Sequence, residues 1–279
     1  MSNTSLLETW KANYDYLFIE LRDPRVDDWF LMSSVWPTVA ACCLYYYVIK
    51  IAGPRFMKDR PPYDIQNIMI IYNFCQTLLS AWIFSKACKF WVTGKYNWLC
   101  QPVDYSESED GYAALDMTWW YFFSKYIDYL DSIFFVLRKK FSHLSMLHVV
   151  HHGIMPFTAW WGIKYVGGGH TTFCGFLNMG VHVIMYFYYF LSAFGPKVQK
   201  YLWWKRYLTT LQLVQFVSFF LHATFPLFIE CDFPKIFSYV ILFHGGMFFL
   251  LFLHFYIQAY TKKGDKKKDV KANGSRKQD

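Results

Sequence analysis

The hydrophobic residues of this chain fall into long blocks, and the charged residues collect mainly in the short stretches between them. Of its 279 residues, 55% are hydrophobic, and the blocks are rich in Phe, Tyr and Trp. A helix that crosses a bilayer needs about 20 predominantly apolar residues. Seven blocks predict an all-α polytopic membrane protein with seven transmembrane helices, at residues 30–51, 66–92, 115–137, 144–163, 171–194, 203–229 and 235–260.

Positive charge alternates from one connecting stretch to the next. Stretches 52–64, 138–143 and 195–206 are rich in Lys and Arg, whereas 93–114 and 230–234 are acidic overall. Lys and Arg accumulate on the cytoplasmic side of membrane proteins, so the pattern predicts a lumenal N-terminus and a cytosolic C-terminus. The net charge of +8 follows from this asymmetry and indicates no nucleic-acid partner. The predicted divisions are a lumenal segment, a seven-helix transmembrane domain and a basic cytosolic tail, at residues 1–28, 29–260 and 261–279.

Two of the seven cysteines lie in predicted lumenal stretches, and five lie in predicted spans. We expect the lumenal pair, Cys100 and Cys231, to form a disulfide, because that compartment is oxidising. The five span cysteines are expected to be core residues. Asn3 begins a glycosylation sequon on the predicted lumenal side. Near the C-terminus, Arg276 and Lys277 resemble a di-basic retrieval signal for the endoplasmic reticulum.

Strongly polar side chains lie inside four of the predicted spans. Such groups are costly in a bilayer unless they face a protein interior or a cavity. Within each span they recur mostly at spacings of three or four residues, which places them on one helix face. They are Lys125, Asp128 and Asp131 in the third span, His148, His151 and His152 in the fourth, Asn178, His182 and Tyr186 in the fifth, and Gln212 and Gln215 in the sixth.

These polar groups are predicted to lie in one layer of the bilayer. At a rise of 1.5 Å per residue, Asp131 and His151 each lie ~10 Å from the cytosolic ends of their spans, and Gln215 lies ~18 Å in. Any one of these groups could simply bridge two helices as a satisfied polar residue. The matching depth in four spans instead favours a buried polar site that is reached from the cytosol.

A basic group borders this layer on the predicted cytosolic side. The positive-inside rule alone can account for it. It can also be a phosphate-binding rim, since Arg and Lys are the natural partners of phosphate. A ligand with an anionic head and a long apolar tail would match a basic rim above an apolar bundle. The residues are Arg138, Lys139, Lys140, Lys205 and Arg206.

The histidine-rich segment LHVVHHGIMPF is compatible with two kinds of chemistry. Membrane di-iron oxidases use several HxxHH boxes, because each iron takes several imidazole ligands. This chain has nine histidines and one HxxHH, which leaves His148, His151, His152 and His182 for at most one zinc site. Neutral imidazoles also serve in acid–base catalysis and acyl transfer, oriented by a nearby carboxylate from the third span. The count favours metal-free acyl transfer without excluding a metal.

Four ordered segments resemble the ELO-type very-long-chain fatty acid elongases, the 3-ketoacyl-CoA synthases of the endoplasmic reticulum. HVVHH at 148–152 is similar to the histidine box of that family. Two positions depart from the family pattern, since Asp128 stands where glutamate is usual and Ser132 where threonine is usual. The other matching segments are 125–140, 178–189 and 201–216, and PVDYS at 102–106 with the seven-span layout extends the likeness over nearly the whole chain.

The resemblance implies a decarboxylative condensation of a long-chain acyl-CoA with malonyl-CoA in the endoplasmic reticulum membrane, with no cofactor beyond these substrates. His151 would accept the acyl group or act as a base, supported by His148, His152 and the two aspartates. His182 would act on the malonyl group together with Asn178. The implied catalytic residues are His148, His151, His152, His182, Asp128 and Asp131, and the implied substrate-binding residues are Lys125, Asn178, Tyr186, Gln212, Gln215, Arg138, Lys139, Lys205 and Arg206.

Two competing functions share some of these features. A membrane metal-dependent desaturase or hydroxylase would use the HxxHH box, and a seven-span receptor or transporter would share the topology. Neither explains a layer of histidines, carboxylates and amides beside a basic rim. Under the elongase hypothesis the expected partners are acyl-CoA, malonyl-CoA and the lipid bilayer, and it allows a homodimer or association with other enzymes of the elongation cycle.

Overall fold

A computed structural model describes residues 6–261 of the chain and is helical throughout, with no β-strand in that range. The predicted all-α class is therefore confirmed. Short π-helical turns follow three of the helices, and 3₁₀ turns occur at Pro24–Val26 and Phe141–His143. The α-helices are α1 (Leu6–Asp15), α2 (Trp36–Tyr47), α3 (Gly53–Met57), α4 (Gln66–Trp91), α5 (Glu109–Ile127), α6 (Tyr129–Leu137), α7 (Met146–Val166), α8 (Thr172–Ala193), α9 (Pro196–Gln199), α10 (Lys205–Phe228) and α11 (Lys235–Tyr256).

Each of the seven predicted spans coincides with one helix or with consecutive helices. The first was expected at 30–51, but α2 begins at Trp36, and a π-helical turn at Val48–Ala52 joins it to α3. The third was expected at 115–137, but its helix begins at Glu109 and is divided at Asp128 into α5 and α6. The helix of the first span therefore begins inside its apolar block, whereas polar residues extend the helix of the third span before its block.

Four helices in the described part of the chain are long and apolar enough to cross a membrane, so the protein is a multi-pass membrane protein. Helix α2 is too short by itself to meet that length, and α5 carries Asp and Glu residues in its first half. Seven spans and the orientation of the termini remain predictions. The four are Gln66–Trp91, Thr172–Ala193, Lys205–Phe228 and Lys235–Tyr260.

Six helices form a closed ring around a cavity. Helix α4 packs along α8, α8 contacts α10, α10 packs along α11, α11 contacts α7, α7 packs on α5, and α5 returns to α4. Helix α2 lies outside the ring against α7, and α3 contacts α6. The ring explains why polar residues from four predicted spans converge, because their helices all face one interior.

Local sequence signals set the limits of α7. Ser145 is its N-cap and accepts a hydrogen bond from the His148 backbone N–H at 3.3 Å, as serine commonly does at this position. Pro156 lies inside the helix and has no N–H, so the carbonyl of His152 has no partner at that position of the helix. Beyond α7, Gly168 has a φ of +83° and lies so close to Ala114 that a Cβ would come within 2.8 Å of it. The chain can therefore turn tightly against α5 before α8.

The two ends of the helix bundle differ in chemistry. We call the end that carries Cys100 and Cys231 the disulfide end, since these two cysteines, the pair expected from the sequence, are joined there. The opposite end carries the basic connecting segments and is called the basic end. The span cysteines are not all core residues as expected, because Cys43 and Cys75 are exposed on the outer surface of their helices. The predicted sequon at Asn3, the di-basic signal and the basic tail beyond residue 261 lie outside the described residues.

At the disulfide end, the segment before α2 is held against α7 by an ion pair and hydrogen bonds. The Lys164 ammonium donates to Asp27 and, at 3.0 Å, to the carbonyl of Met32. Partial burial raises the pKa of Asp27, but hydrogen bonds from Lys164 and Arg22 lower it more, so it lies below its ordinary value of 3.8. Met32 is fully buried in the main hydrophobic core. The predicted lumenal segment is therefore an integral part of the fold near α2.

Candidate active site

The polar strip of α5 and α6 is aligned by a tight turn at Asp128. The Asp131 backbone N–H donates to the Asp128 carbonyl three residues earlier, and residues three apart are nearly eclipsed in such a turn. The Lys125 Nζ lies 3.6 Å from Asp128 Oδ2, and both side chains are buried. The spacing of three in the sequence therefore does place these side chains together.

Helix α8 approaches this strip with three side chains on one face. Asn178 Oδ1 accepts a hydrogen bond from Lys125 Nζ at 2.9 Å. The Tyr186 hydroxyl lies 2.8 Å from Asp128 Oδ1 and 2.9 Å from Asp131 Oδ2, so its one proton lies between the two carboxyl groups. Between Asn178 and Tyr186 lies His182, whose ring contacts the Tyr186 ring edge-on at 5.5 Å. A polar network thus joins α5, α6 and α8 in the interior of the ring.

The three histidines of α7 lie in contact with one another. The rings of His148 and His152 are 4.2 Å apart, and those of His151 and His152 are 5.4 Å apart. His151 also contacts Phe248 of α11 edge-on at 4.9 Å. The Nδ1 atom of His152 is buried and has no hydrogen-bond partner within residues 6–261. The cluster is therefore closely packed, and one of its ring nitrogens, His152 Nδ1, has no hydrogen-bond partner in the described residues.

The carboxylates of the two aspartates contact groups other than those that the sequence suggested, although the backbone of Asp128 does hydrogen-bond to His152. We expected Asp128 or Asp131 to orient a histidine ring. In the structure their carboxylates contact Tyr186. The residue of α6 that contacts a histidine is Ser132, whose Oγ lies 2.8 Å from His148 Nε2. Because α6 turns about 100° per residue, Ser132 faces α7 while Asp131 faces α8.

Sequence reasoning missed several members of this network. Gln76 of α4 donates from Nε2 to Asp128 Oδ1 at 2.7 Å, and Tyr45 of α2 lies 2.8 Å from Ser132 Oγ. A buried glutamine in a predicted span was a detectable signal, since polar groups there are costly. Tyr45 gave no such signal, because tyrosine is common throughout the apolar blocks.

A long apolar cavity of about 480 Å³ begins at the histidine cluster and runs toward the disulfide end. His151 and Asn178 line its polar end, together with Gln215, whose buried Oε1 has no partner in the described part of the chain. Tyr165, 14 residues beyond His151 on α7, lines the far end, so the cavity extends ~21 Å along that helix. Gln212 is not at the cavity and instead lies 3.5 Å from the sulfur of Met185.

The basic residues converge at the basic end of the bundle. Desolvation lowers the pKa of His143, between α6 and α7, and the nearby charges of Lys205, Lys140 and Arg138 lower it further. The start of α10 therefore lies beside the link between α6 and α7. Two predicted rim residues already have protein partners, since Lys139 Nζ donates to the carbonyl of Lys58 and Arg206 Nε donates to Tyr256 at 2.8 Å.

Comparison with known proteins identifies the family. The model of the ELO family, described as GNS1/SUR4, matches residues 30–268, which is most of the chain. The chain belongs to the ELO family of very long chain fatty acid elongases. The matched region includes all six ring helices and the histidine cluster, so the resemblance seen in the sequence is confirmed.

Named relatives support the same assignment. Very long chain fatty acid elongase 7 of Drosophila melanogaster is 49% identical over 90% of this chain and 77% of its own length. Elongase 7 of Rattus norvegicus is 47% identical over 88% of both chains. Elongase 4 of Homo sapiens is 46% identical over 87% of this chain and 77% of its own. The desaturase or hydroxylase alternative is not favoured by these matches.

The polar side chains of the site are arranged as a hydrogen-bonded network. Within residues 6–261, no three His, Cys, Asp or Glu side chains are grouped in a way that could hold a metal ion. The buried groups of the site instead form hydrogen bonds to one another or face the cavity. Fixed hydrogen-bonding groups of this kind at the end of an apolar cavity are suited to acyl-group chemistry.

Proposed function

We propose that this chain is a 3-ketoacyl-CoA synthase that condenses a long-chain acyl-CoA with malonyl-CoA. One proton is consumed, and the products are carbon dioxide, free CoA and a 3-ketoacyl-CoA two carbons longer. The observation that carries the proposal is a ~21 Å apolar cavity that ends at His151, beside Asn178 and Gln215. An acyl chain in the cavity would bring its thioester to the histidines.

The acyl half-reaction is assigned to His151, which lines the cavity. Its imidazole attacks the thioester carbonyl, the C–S bond breaks, and the CoA thiolate leaves and takes a proton. The acyl-imidazole that forms is a short-lived intermediate in the sense of covalent catalysis. In the alternative course His151 acts as a base for direct condensation. Packing of His151 against Phe248 and His152 supports either role by fixing the ring.

The malonyl half-reaction is assigned to His182 and Asn178. Cleavage of the bond between the malonyl carboxylate and Cα releases carbon dioxide and leaves the electron pair on Cα, as an enolate of the thioester. That carbanion equivalent attacks the acyl carbonyl and expels the imidazole of His151. Hydrogen-bond donors held in place before the reaction stabilise such an enolate. The hydrogen bond from Lys125 Nζ to Asn178 Oδ1 fixes the orientation of the Asn178 amide, so that its N–H group can donate to the enolate.

Substrate access and location follow from the charge of the two ends. The basic residues Arg138, Lys139, Lys205 and Arg206 would meet CoA phosphates, and this assignment places the basic end in the cytosol. The disulfide end then faces the lumen, which agrees with the oxidising environment that disulfides require. The proposed location is the endoplasmic reticulum membrane. The reaction requires no cofactor, because decarboxylation of malonyl-CoA supplies the carbanion.

The test is condensation by the purified protein with labelled malonyl-CoA and acyl-CoAs of increasing length. We expect His151→Ala and His182→Ala to lower kcat by about 100-fold or more, as the loss of a general acid–base group does. His254→Ala is the control, because His254 is exposed and bonded only to Gln258 within the described residues. Wild-type protein that releases no labelled carbon dioxide would refute the function.

A second experiment, in which malonyl-CoA is left out, separates the two half-reactions. Protein incubated with acyl-CoA alone should release one CoA per molecule and carry the acyl group on His151, which peptide mass spectrometry would locate. Near-normal condensation by His151→Ala would show that the central assignment is wrong. If His182→Ala alone were inactive, the two histidines would exchange roles.

A further inference from the structure

A chain of three buried groups connects α2 to the histidine cluster. The Tyr45 hydroxyl lies 2.8 Å from Ser132 Oγ, which lies 2.8 Å from Nε2 of His148. Ser132 is fully buried and Tyr45 nearly so. The Tyr45 ring also stacks on Tyr129 at 4.3 Å and packs on α7 next to Gly153, where a Cβ would be 3.5 Å from the ring. Tyr45 is therefore fixed in position although α2 lies outside the helix ring.

The number of available protons determines the direction of these hydrogen bonds. Each hydroxyl has one proton to donate, and a neutral imidazole has one protonated and one unprotonated nitrogen. Within residues 6–261, Ser132 is the one hydrogen-bond partner of the Tyr45 hydroxyl. The arrangement that gives both hydroxyl protons an acceptor therefore runs from Tyr45 to Ser132 and from Ser132 to His148 Nε2. The reverse direction would leave the phenolic proton without an acceptor, which is unfavourable in a buried site.

This direction fixes the state of His148. With Nε2 accepting from Ser132, the neutral ring carries its proton on Nδ1. Neither nitrogen of His148 then has a free lone pair, so this histidine can be neither the acyl acceptor nor the base. His152, whose ring is 4.2 Å away, does retain a buried Nδ1 without a partner in the described part of the chain.

We propose that Tyr45 and Ser132 are positioning residues that hold His148 as the Nδ1–H tautomer, so that His148 orients the catalytic histidines without reacting. The inference rests on the proposed function and assigns a role within the same site. Hydrogen-bonded partners behind an imidazole commonly set its tautomer and ring orientation in this way. A wrong tautomer can be very costly to catalysis even when the geometry is retained.

The kinetic test compares variants that remove one hydroxyl at a time. We expect Ser132→Ala to lower kcat by about 10- to 100-fold and Tyr45→Phe by about 10-fold, with KM for both substrates unchanged. Ser132→Thr keeps the hydroxyl and should restore kcat. Tyr126→Phe is the matched control, because Tyr126 donates to Thr38 between α5 and α2 at 2.7 Å, away from the histidines.

A spectroscopic test does not depend on activity. In protein labelled with ¹⁵N-histidine, His148 should show a protonated Nδ1 and an unprotonated Nε2, and Tyr45→Phe should show both tautomers. A protonated Nε2 in the wild type would overturn the inference. The inference would also be overturned if Tyr45→Phe kept the wild-type kcat. The same holds if the kcat of Ser132→Thr were as low as that of Ser132→Ala. Wild-type protein with the expected tautomer but no malonyl-CoA turnover would refute the proposed function and not the tautomer assignment.

Discussion

At the scale of single residues, the least favourable feature is a pair of carboxylates beneath the histidines. Buried charges are costly unless they are paired and hydrogen-bonded. Asp128 is stabilised by Lys125 at 3.6 Å and by Gln76, while the hydroxyl of Tyr186 contacts both Asp128 and Asp131. Tyr186 therefore bridges the two carboxyl groups on this helix face.

Removal of that hydroxyl tests this interpretation. We expect Tyr186→Phe to destabilise the protein by about 1–3 kcal/mol, because it removes one hydrogen-bond donor from a buried pair of carboxyl groups. Condensation should also slow, since the strip carries Lys125, which fixes Asn178. Thermal unfolding in detergent micelles measures the first effect and labelled malonyl-CoA the second. Tyr189→Phe, on the partly exposed side of the same helix, is the control, and equal behaviour of the two variants would contradict the role of Tyr186.

At the scale of helices, two prolines leave carbonyls that their own helices cannot satisfy. Pro226 in α10 has no N–H for the carbonyl of His222, and His170 Nε2 donates to that carbonyl at 2.9 Å. The rings of His170 and His222 also stack at 3.9 Å. These histidines are thus structural, and they fix the turn before α8 to α10. The α7 cluster differs, because its histidines face a cavity.

Helix α11 offers a matched pair of glycines for testing what the cavity holds. Gly245 lines the cavity, whereas its neighbour Gly246 does not, and a Cβ at either would meet no atom within 4 Å. We expect Gly245→Leu to lower kcat/KM for the longest acyl-CoAs relative to shorter ones by roughly 10-fold or more, since a few methylenes decide binding in an apolar pocket.

The matched variant is Gly246→Leu, which adds the same side chain and the same helix propensity on another face. It should keep the wild-type chain-length profile. The measurement is condensation across a series of saturated acyl-CoAs. The cavity does not hold the acyl chain if Gly245→Leu leaves the chain-length profile unchanged. The same conclusion follows if both variants change that profile in the same way.

At the scale of the whole molecule, the disulfide end is closed by segments that are distant in sequence. The disulfide joins the stretch before α5 to the stretch between α10 and α11, across 131 residues. Arg25 pairs with buried Asp23 at 2.7 Å and donates to the carbonyls of Asp104 and Ser106. Together with the pair of Lys164 and Asp27, these contacts tie the N-terminal segment to α7 and to the start of α5.

The pair of Lys164 and Asp27 gives a prediction with a defined pH dependence. Asp27→Asn leaves the buried Lys164 ammonium without its counter-charge and should cost about 2 kcal/mol of unfolding free energy near pH 7. Because the pKa of Asp27 is lowered in the folded state, its stabilisation is present above the unfolded pKa of about 3.9. That stabilisation is lost as the pH falls through the folded value.

Unfolding temperatures measured in detergent from pH 7 to pH 3 check this prediction. The difference between wild type and Asp27→Asn should stay constant down to about pH 5 and shrink below pH 4. Asp116→Asn is the control, since Asp116 pairs with Lys86 through side chains that are 39% and 32% exposed. Exposed pairs contribute about 0–1 kcal/mol. Equal losses in both variants would contradict the structural role of Asp27.

The sequence by itself determined the helical class, the family and several of the residues that meet at the site. The length of the apolar blocks locates helices, and spacings of three or four predict that Lys125 and Asp128, or Asn178, His182 and Tyr186, share a face. The structure confirms the helices and brings those groups together. Periodicity carries this information because it reports which side of a helix is buried.

Only the tertiary structure decided which partner each side chain has. Gln212 and Gln215 are three residues apart, about 60° around the helix axis, and only Gln215 reaches the cavity. Likewise the orientation of α6 places Ser132 against His148 of α7 and places the aspartates against α8. The packing of α2 brings Tyr45 into contact with Ser132. A pattern within one helix defines a face, whereas the closed ring of helices defines what that face meets.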